Sequence, residues 1–279
     1  VSLRAVPNHV RPAAVAGLFY PSSPMELRAT VDDLLAAASR AAASAPGPVP
    51  LAIVVPHAGY VYSGPVAAAA YVMLTPVAEQ IERAVVVGPA HRVPVTGLAL
   101  SSADAFATPL GLVAVDRALR AELAAHEAVH VDDRAHAAEH SLEVQLPFLQ
   151  RAVGDIPIVA LVAGRASAAT VADVLRPVWG RPGTVIVVST DLSHYLDDAS
   201  ARRVDAATAR AVVAADPDAV TAEGACGAVP LRGVLSLARA GGARVRQLAL
   251  ATSADTAGDP ERVVGYGAFV VEPGVDVGA

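Results

Sequence analysis

Three histidines follow closely on runs of apolar, mostly branched residues. The run 51-LAIVV-55 leads into 56-PHAGYVYSG-64 and His57, and 84-AVVVG-88 leads into 88-GPAHRVP-94 and His91. The third run, 185-VIVVS-189, leads into 190-TDLSHY-195, which carries Asp191 and His194. An imidazole can act as acid, base or metal ligand, and the partner of one ring nitrogen decides what the other can do. Asp191, three residues before His194, reads as an orienting carboxylate for that ring or as a helix N-cap.

The chain has one cysteine, Cys226, in 222-AEGACGAVPLRGVLSLARA-240. Gly224 and Gly227 flank it, and Pro230 then opens a helix at a favoured position. A tight turn ahead of a helix N-terminus is expected to lower a thiol's pKa, making it a metal ligand or nucleophile. Two imidazoles and one thiolate form a three-ligand set that leaves room for water, substrate or dioxygen and suits iron, copper or zinc. In 139-EHSLEVQLPFL-149, Ser141 reads as an N-cap, which puts Glu139 and His140 at a helix N-terminus. Tyr60 and Tyr62 are candidate donors to a bound anion or oxygen species. His126, His130 and His136 stand among charged residues and read as solvated, and no zincin helix is expected from them. His9 is given no role.

These residues need a scaffold that gathers distant segments. The four strong runs, at 51–55, 84–88, 156–162 and 185–189, are apolar on consecutive residues, as in strands buried on both faces. Weaker strand patterns occupy 96–101, 112–115, 246–252 and 264–271. Helical patterns lie between them at 25–43, 116–127, 141–153, 168–178, 198–215 and 230–240. Alternation of this kind predicts an α/β three-layer sandwich: a central, mostly parallel or mixed sheet with helices on both faces. Parallel neighbours in such a sheet deliver their following loops to one edge, where ligands bind. The stretch 44–50 reads as a short connector and 273–279 as a loose tail, so residues 1–279 are read as one domain.

Composition narrows the function further. The 279 residues are 54% apolar, enough for a large core. A net charge of −6 argues against a nucleic-acid partner. All 21 basic residues are Arg, which reads as coding bias and removes lysine chemistry such as Schiff bases or a P-loop. A lone cysteine fits a reducing compartment, and no signal peptide or membrane-spanning run is read, so a cytoplasmic protein is expected. No G-x-S-x-G elbow is present.

The motifs 15-VAGLFYP-21, 56-PHAGYVYSG-64, 88-GPAHRVP-94, 139-EHSLEVQLPFL-149, 189-STDLSHY-195 and 226-CGAVP-230 resemble those of the Memo family. That family is known in bacteria and archaea as the B component of the AmmeMemoRadiSam system. The likeness runs from about residue 11 to 272. It implies a fold similar to class III (extradiol-type) nonheme iron dioxygenases. It also implies a site holding iron, most readily Fe(II), or copper at His57, His91 and Cys226, with Asp191 and His194 lining the same pocket. Where some relatives have a second histidine this chain has Arg92, and where some have arginine it has Ala228. Ring-cleaving dioxygenases use two His and a carboxylate, so ring cleavage does not transfer from the fold alone. The expectation is a metal-dependent oxidoreductase acting on an unidentified small molecule. The alternatives are a non-catalytic metal carrier or interaction component with protein partners in a radical-SAM pathway, and a zinc-dependent hydrolase.

Overall fold

The computed structural model describes residues 7–41 and 48–274. The end of the first helical stretch (42–43), most of the connector and the last five residues of the tail lie outside them. In chain order the strands are β1 (Val10–Arg11), β2 (Ala52–Val55), β3 (Arg83–Pro89), β4 (Leu98–Leu100), β5 (Ala105–Thr108), β6 (Gly111–Ala114), β7 (Val129–Val131), β8 (Ile158–Ala163), β9 (Thr184–Ser189), β10 (His194–Leu196), β11 (Arg244–Thr252) and β12 (Val263–Glu272). The α-helices are α1 (Pro24–Ala41), α2 (Tyr60–Tyr71), α3 (Arg117–Ala124), α4 (Asp133–Ala137), α5 (Leu146–Ala152), α6 (Ala168–Leu175), α7 (Asp198–Val213) and α8 (Ala228–Ala240).

Nine strands form one mixed sheet in the order β10-β12-β2-β9-β3-β8-β4-β7, with β11 on the outer side of β12. The centre, β2-β9-β3-β8, is parallel throughout and is built from the four strong apolar runs. Strand side chains alternate between faces, so these runs feed two cores. Ile53, Val55, Val86 and Val187 pack in one with α1, α2 and α5, while Val54, Val85, Val87 and Val188 pack in the other with α6, α7 and α8. This is the expected three-layer α/β sandwich. A small second sheet, β1-β5-β6, is not hydrogen-bonded into the large one but packs Phe106 and Val113 into the first of these cores.

The short elements β1, β5, β7, β10 and α4 and the helix α2 are absent from the sequence reading. Residues 60–71, for which no helical pattern is read in the sequence, form helix α2. Gly64 has no Cβ where one would meet Leu34 Cδ1 of α1 at 2.8 Å, so the two helices approach closely. The hydrogen bond that Pro65 cannot donate would have gone to Val61, a residue 65% exposed, where water can replace it. Among the described residues, no helix is long and apolar enough to cross a membrane.

Candidate metal centre and adjoining cavity

Strand register assembles the site. Val55 at the end of β2 pairs with Ser189 at the end of β9, and Val188 of β9 pairs with Val87 of β3. Three adjacent parallel strands therefore release their loops side by side at one sheet edge, bringing His57, Asp191 and His91 together. Cys226 arrives on the turn ahead of α8. Its backbone N–H donates to the Asp191 carbonyl (3.2 Å), and the next N–H, of Gly227, donates to Thr190 Oγ1 (2.8 Å). Gly227 is required there, because a Cβ would stand 2.7 Å from the Ser189 carbonyl oxygen and 2.6 Å from Thr190 Cβ.

The hydrogen bonds fix which ring nitrogens are available. Ser189 Oγ donates its single proton to the Ser141 carbonyl (2.5 Å) and accepts from Gln145 Nε2 (2.9 Å). Its remaining contact, with His57 Nδ1 at 2.9 Å, must then be an N–H donated by the histidine. His57 Nε2 thus keeps its lone pair, 3.3 Å from Cys226 Sγ. The Glu139 carboxylate accepts the His91 backbone N–H (2.7 Å), His91 Nδ1–H (2.9 Å) and the Ser141 N–H (2.9 Å). That leaves His91 Nε2 free as well. One donor atom from each of His57, His91 and Cys226 lies within 4.8 Å of the others. Two lone-pair nitrogens backed by fixed tautomers, plus one sulfur, fit a borderline transition-metal ion.

His140 completes a packed trio of rings. Its centroid is 4.7 Å from that of His91, nearly stacked, and 5.4 Å from that of His57, edge-on. His91, Glu139 and His140 also have metal-ligating spacing, but this second group shares His91 with the first. His140 Nδ1 lies 3.4 Å from Glu139 Oε1 and makes no hydrogen bond.

Electrostatics at the site follow from burial. Desolvation, then the neighbouring His91, lowers His57 to about 3, so its ring is neutral. Burial and then His57 lower His140 to about 4. Burial would raise Glu139, but the His91 hydrogen bond and two backbone N–H groups hold it down at about 2. Asp191 is raised by burial against the hydrogen bond from the His57 N–H (2.7 Å). The expectation of a low-pKa thiol is overturned: burial and then the Asp191 carboxylate push Cys226 up to about 12. Without a cation beside it this cysteine is a thiol, because the short approach to α8 does not offset desolvation.

A cavity of about 450 Å³ opens beside the cluster and is bordered by His140, Asp191, His194, Tyr62 and Tyr266. His194 Nδ1 lies 2.8 Å from the Leu192 carbonyl, so that carbonyl, rather than Asp191, sets its tautomer and leaves Nε2 free. Tyr62 borders the cavity, whereas Tyr60 is buried with its hydroxyl donated to the Val144 carbonyl (2.6 Å) and is not available to a ligand.

Other sequence expectations are corrected here. Ser141 does not cap a helix. Its hydroxyl donates to the Pro89 carbonyl, and α5 begins only at Leu146, so Glu139 and His140 are held by loop contacts. His136 is buried rather than solvated, with Nε2 donating to the Ala99 carbonyl. The stretch 126-HEAVH-130 has zincin spelling but folds as a turn running into β7, so its two histidines share no helical face. Ser189 and Gln145, which fix the His57 tautomer, went unread in the sequence. Ser189 ends an apolar run and Gln145 lies in an apolar helical stretch, and only the fold brings them to His57.

An α/β sandwich with a His/His/Cys cluster at the carboxyl ends of its central strands, His57 buried and His91 open to solvent, defines a candidate metal-binding protein. A family model described as "Memo-like protein" matches residues 11–270. A MEMO1 family protein of Thermotoga maritima is 36% identical, with 92% of this chain and 97% of that protein covered. MEMO1 family proteins of Aquifex aeolicus and Methanopyrus kandleri are each 34% identical, covering 92% and 95% of this chain and 97% and 99% of their own lengths. The chain belongs to the Memo family. A solved structure of an uncharacterized Escherichia coli K12 protein aligns with a TM-score of 0.45 and 17% identity over 77% of this chain and 98% of that one, too distant to bear on the site.

Proposed function

We propose that this Memo-family protein binds a redox-active transition metal, Fe(II) in the first instance and copper in the second, through His57 Nε2, His91 Nε2 and Cys226 Sγ. We further propose that it acts as an oxidoreductase on a small molecule held in the adjoining cavity. The observation that carries this reading is the pair of fixed tautomers, which leave both Nε2 atoms as lone pairs beside one sulfur. A bound Fe(II) with three protein ligands would supply open positions for dioxygen or substrate and one-electron chemistry.

The residues around the ligands have separable tasks. Ser189 and Glu139 hold the two ligand rings in register. With a cation bound at Sγ, Cys226 would release its thiol proton to solvent and be held as thiolate, which reverses the burial effect on Cys226. His194, with Nδ1–H held by the Leu192 carbonyl, offers Nε2 to take or return a proton on a molecule in the cavity. Packing by the neighbouring rings excludes water from the buried face of His57.

The test is metal content and oxygen uptake. Protein reconstituted anaerobically with Fe(II) should hold one iron per chain, and His57→Ala and Cys226→Ser should each lose most of it. Unchanged iron and copper in both variants would remove the ligand assignment. Zinc in clear excess over iron in protein from unsupplemented cells would favour a hydrolytic site instead. Full iron occupancy without oxygen uptake on any of a panel of small organic reductants would favour a carrier.

A further inference from the structure

The cavity lining holds a cation with uncommitted donors. Arg262 borders the cavity, and its guanidinium carbon sits 4.5 Å from the centroid of the Tyr195 ring. Tyr195 in turn stands edge-on to His194, with ring centroids 5.6 Å apart. Arg262 makes no side-chain hydrogen bond or ion pair among the described residues, so its fork of N–H donors is available to a ligand.

The local backbone is built to hold this pair. His194 and Leu196 of β10 pair with Val264 and Val263 of β12 across a register shift, and Tyr195 lies in that irregularity. Its φ of 62° is in the left-handed region, unusual for a residue with a large side chain. A bulge there re-aims the ring toward Arg262, and the ring is 64% exposed rather than packed in the core. Arg262 is set by a turn in which its N–H donates to the Asp259 carbonyl (3.2 Å), and that turn is tied to the start of α7 by the Asp198 N–H on the Pro260 carbonyl (2.9 Å). Strained aromatic residues on exposed bulges persist where a site uses them.

The cavity's two aspartates are already engaged. Asp191 Oδ1 accepts the His57 N–H, and Asp259 Oδ1 accepts the Glu261 N–H. Arg262 is then the permanently charged cation in the cavity lining, linked through Tyr195 to His194. The remaining lining includes Phe19, Tyr62, Tyr195 and Tyr266, an aromatic surface suited to a flat apolar body.

We propose that the molecule acted on at this site is a small organic oxyanion, an apolar or aromatic body bearing a carboxylate or phosphate, whose anionic end is bound by Arg262 over Tyr195. This rests on the preceding reading for the word "acted"; the binding itself does not need a metal.

The test uses the purified full chain, with metal content measured on every sample. Benzoate, phenyl phosphate and uncharged benzamide are titrated by ligand-observed NMR against the wild type, Arg262→Gln and Arg262→Lys. Binding of benzoate or phenyl phosphate should weaken about tenfold or more in Arg262→Gln, as loss of a charge-assisted pair requires. Arg262→Lys should recover part of it, and benzamide should bind weakly and equally to all three. Preference between the two anions identifies the carboxylate or the phosphate as the group recognised. Benzamide binding as well as the anions, neither anion binding, or Arg262→Gln binding like the wild type would each overturn the proposal. If no metal is found but the Arg262 dependence persists, the oxidoreductase reading fails while the anion site stands. The reverse pattern fails the anion site alone.

Discussion

Glu139 grips His91 twice, accepting the ring Nδ1–H at 2.9 Å with one carboxylate oxygen and the backbone N–H at 2.7 Å with the other. Ring and backbone are thus fixed together by one buried side chain, and the tautomer follows from the charge. Glu139→Gln keeps the shape but offers a neutral amide in place of the carboxylate. Metal affinity should fall about 10- to 100-fold while the far-UV circular dichroism stays the same. Competition against a chelator of known affinity measures it, and an unchanged affinity would show that Glu139 is packing and nothing more.

Ser189 serves His57 in the same way but through a neutral network. Ser189→Ala leaves His57 Nδ1–H, the Gln145 amide and the Ser141 carbonyl each short of one partner in a buried place. Unfolding in urea should show a loss of about 1–3 kcal/mol. A loss below about 0.5 kcal/mol, the range of an ordinary surface change, would mean that the network repairs itself.

Gly227 governs how closely the Cys226 turn approaches β9. Gly227→Ala should lower stability by about 1–3 kcal/mol, because the backbone oxygen of Ser189 cannot move aside. Cys226 should also be displaced, seen as weaker thiolate-to-metal absorption after Co(II) loading. A variant with wild-type melting temperature and spectrum would contradict the close packing at Ser189 and Thr190.

His136 gives a pH dependence remote from the proposed ligands. Burial, the largest cause, lowers it from 6.5 to about 4, partly opposed by its hydrogen bond to the Ala99 carbonyl. A histidine depressed in the folded state binds its proton more readily when unfolded. Stability therefore falls as pH drops from about 6.5 towards 4, by about 2 kcal/mol at pH 5 from this residue. His136→Gln keeps a donor for Ala99 and removes the titration. Its urea stability should decline less than the wild type's between pH 7 and pH 5, and equal declines would refute the assignment.

Much of this site could be read before any fold was known. Consecutive Val and Ile residues marked the central parallel strands, and the residues just after them, His57, His91 and Asp191, converge because β2, β9 and β3 are adjacent and end at the same side of the sheet, at Val55, Ser189 and Pro89. Cys226 was legible from its flanking glycines. Helix α2 was hidden because Gly64 and Pro65 argue locally against a helix, and only the packing of Leu34 from α1 gives that glycine its purpose. His136 looked solvated because Asp132, Asp133 and Arg134 precede it in sequence, whereas a five-residue helix turns its ring inward under Arg11 and Phe106. The thiol was misjudged for a related reason. A turn ahead of a helix is visible in sequence, but the Asp191 carboxylate and the burial that outweigh it belong to the tertiary structure.

The central claim is that one metal ion binds between His57, His91 and Cys226. Crystals of protein loaded anaerobically with Fe(II), measured on both sides of the iron absorption edge, test it directly. The account predicts a single anomalous peak bounded by His57 Nε2, His91 Nε2 and Cys226 Sγ, lost in Cys226→Ser. A peak elsewhere, or none at that position in loaded crystals, would contradict it.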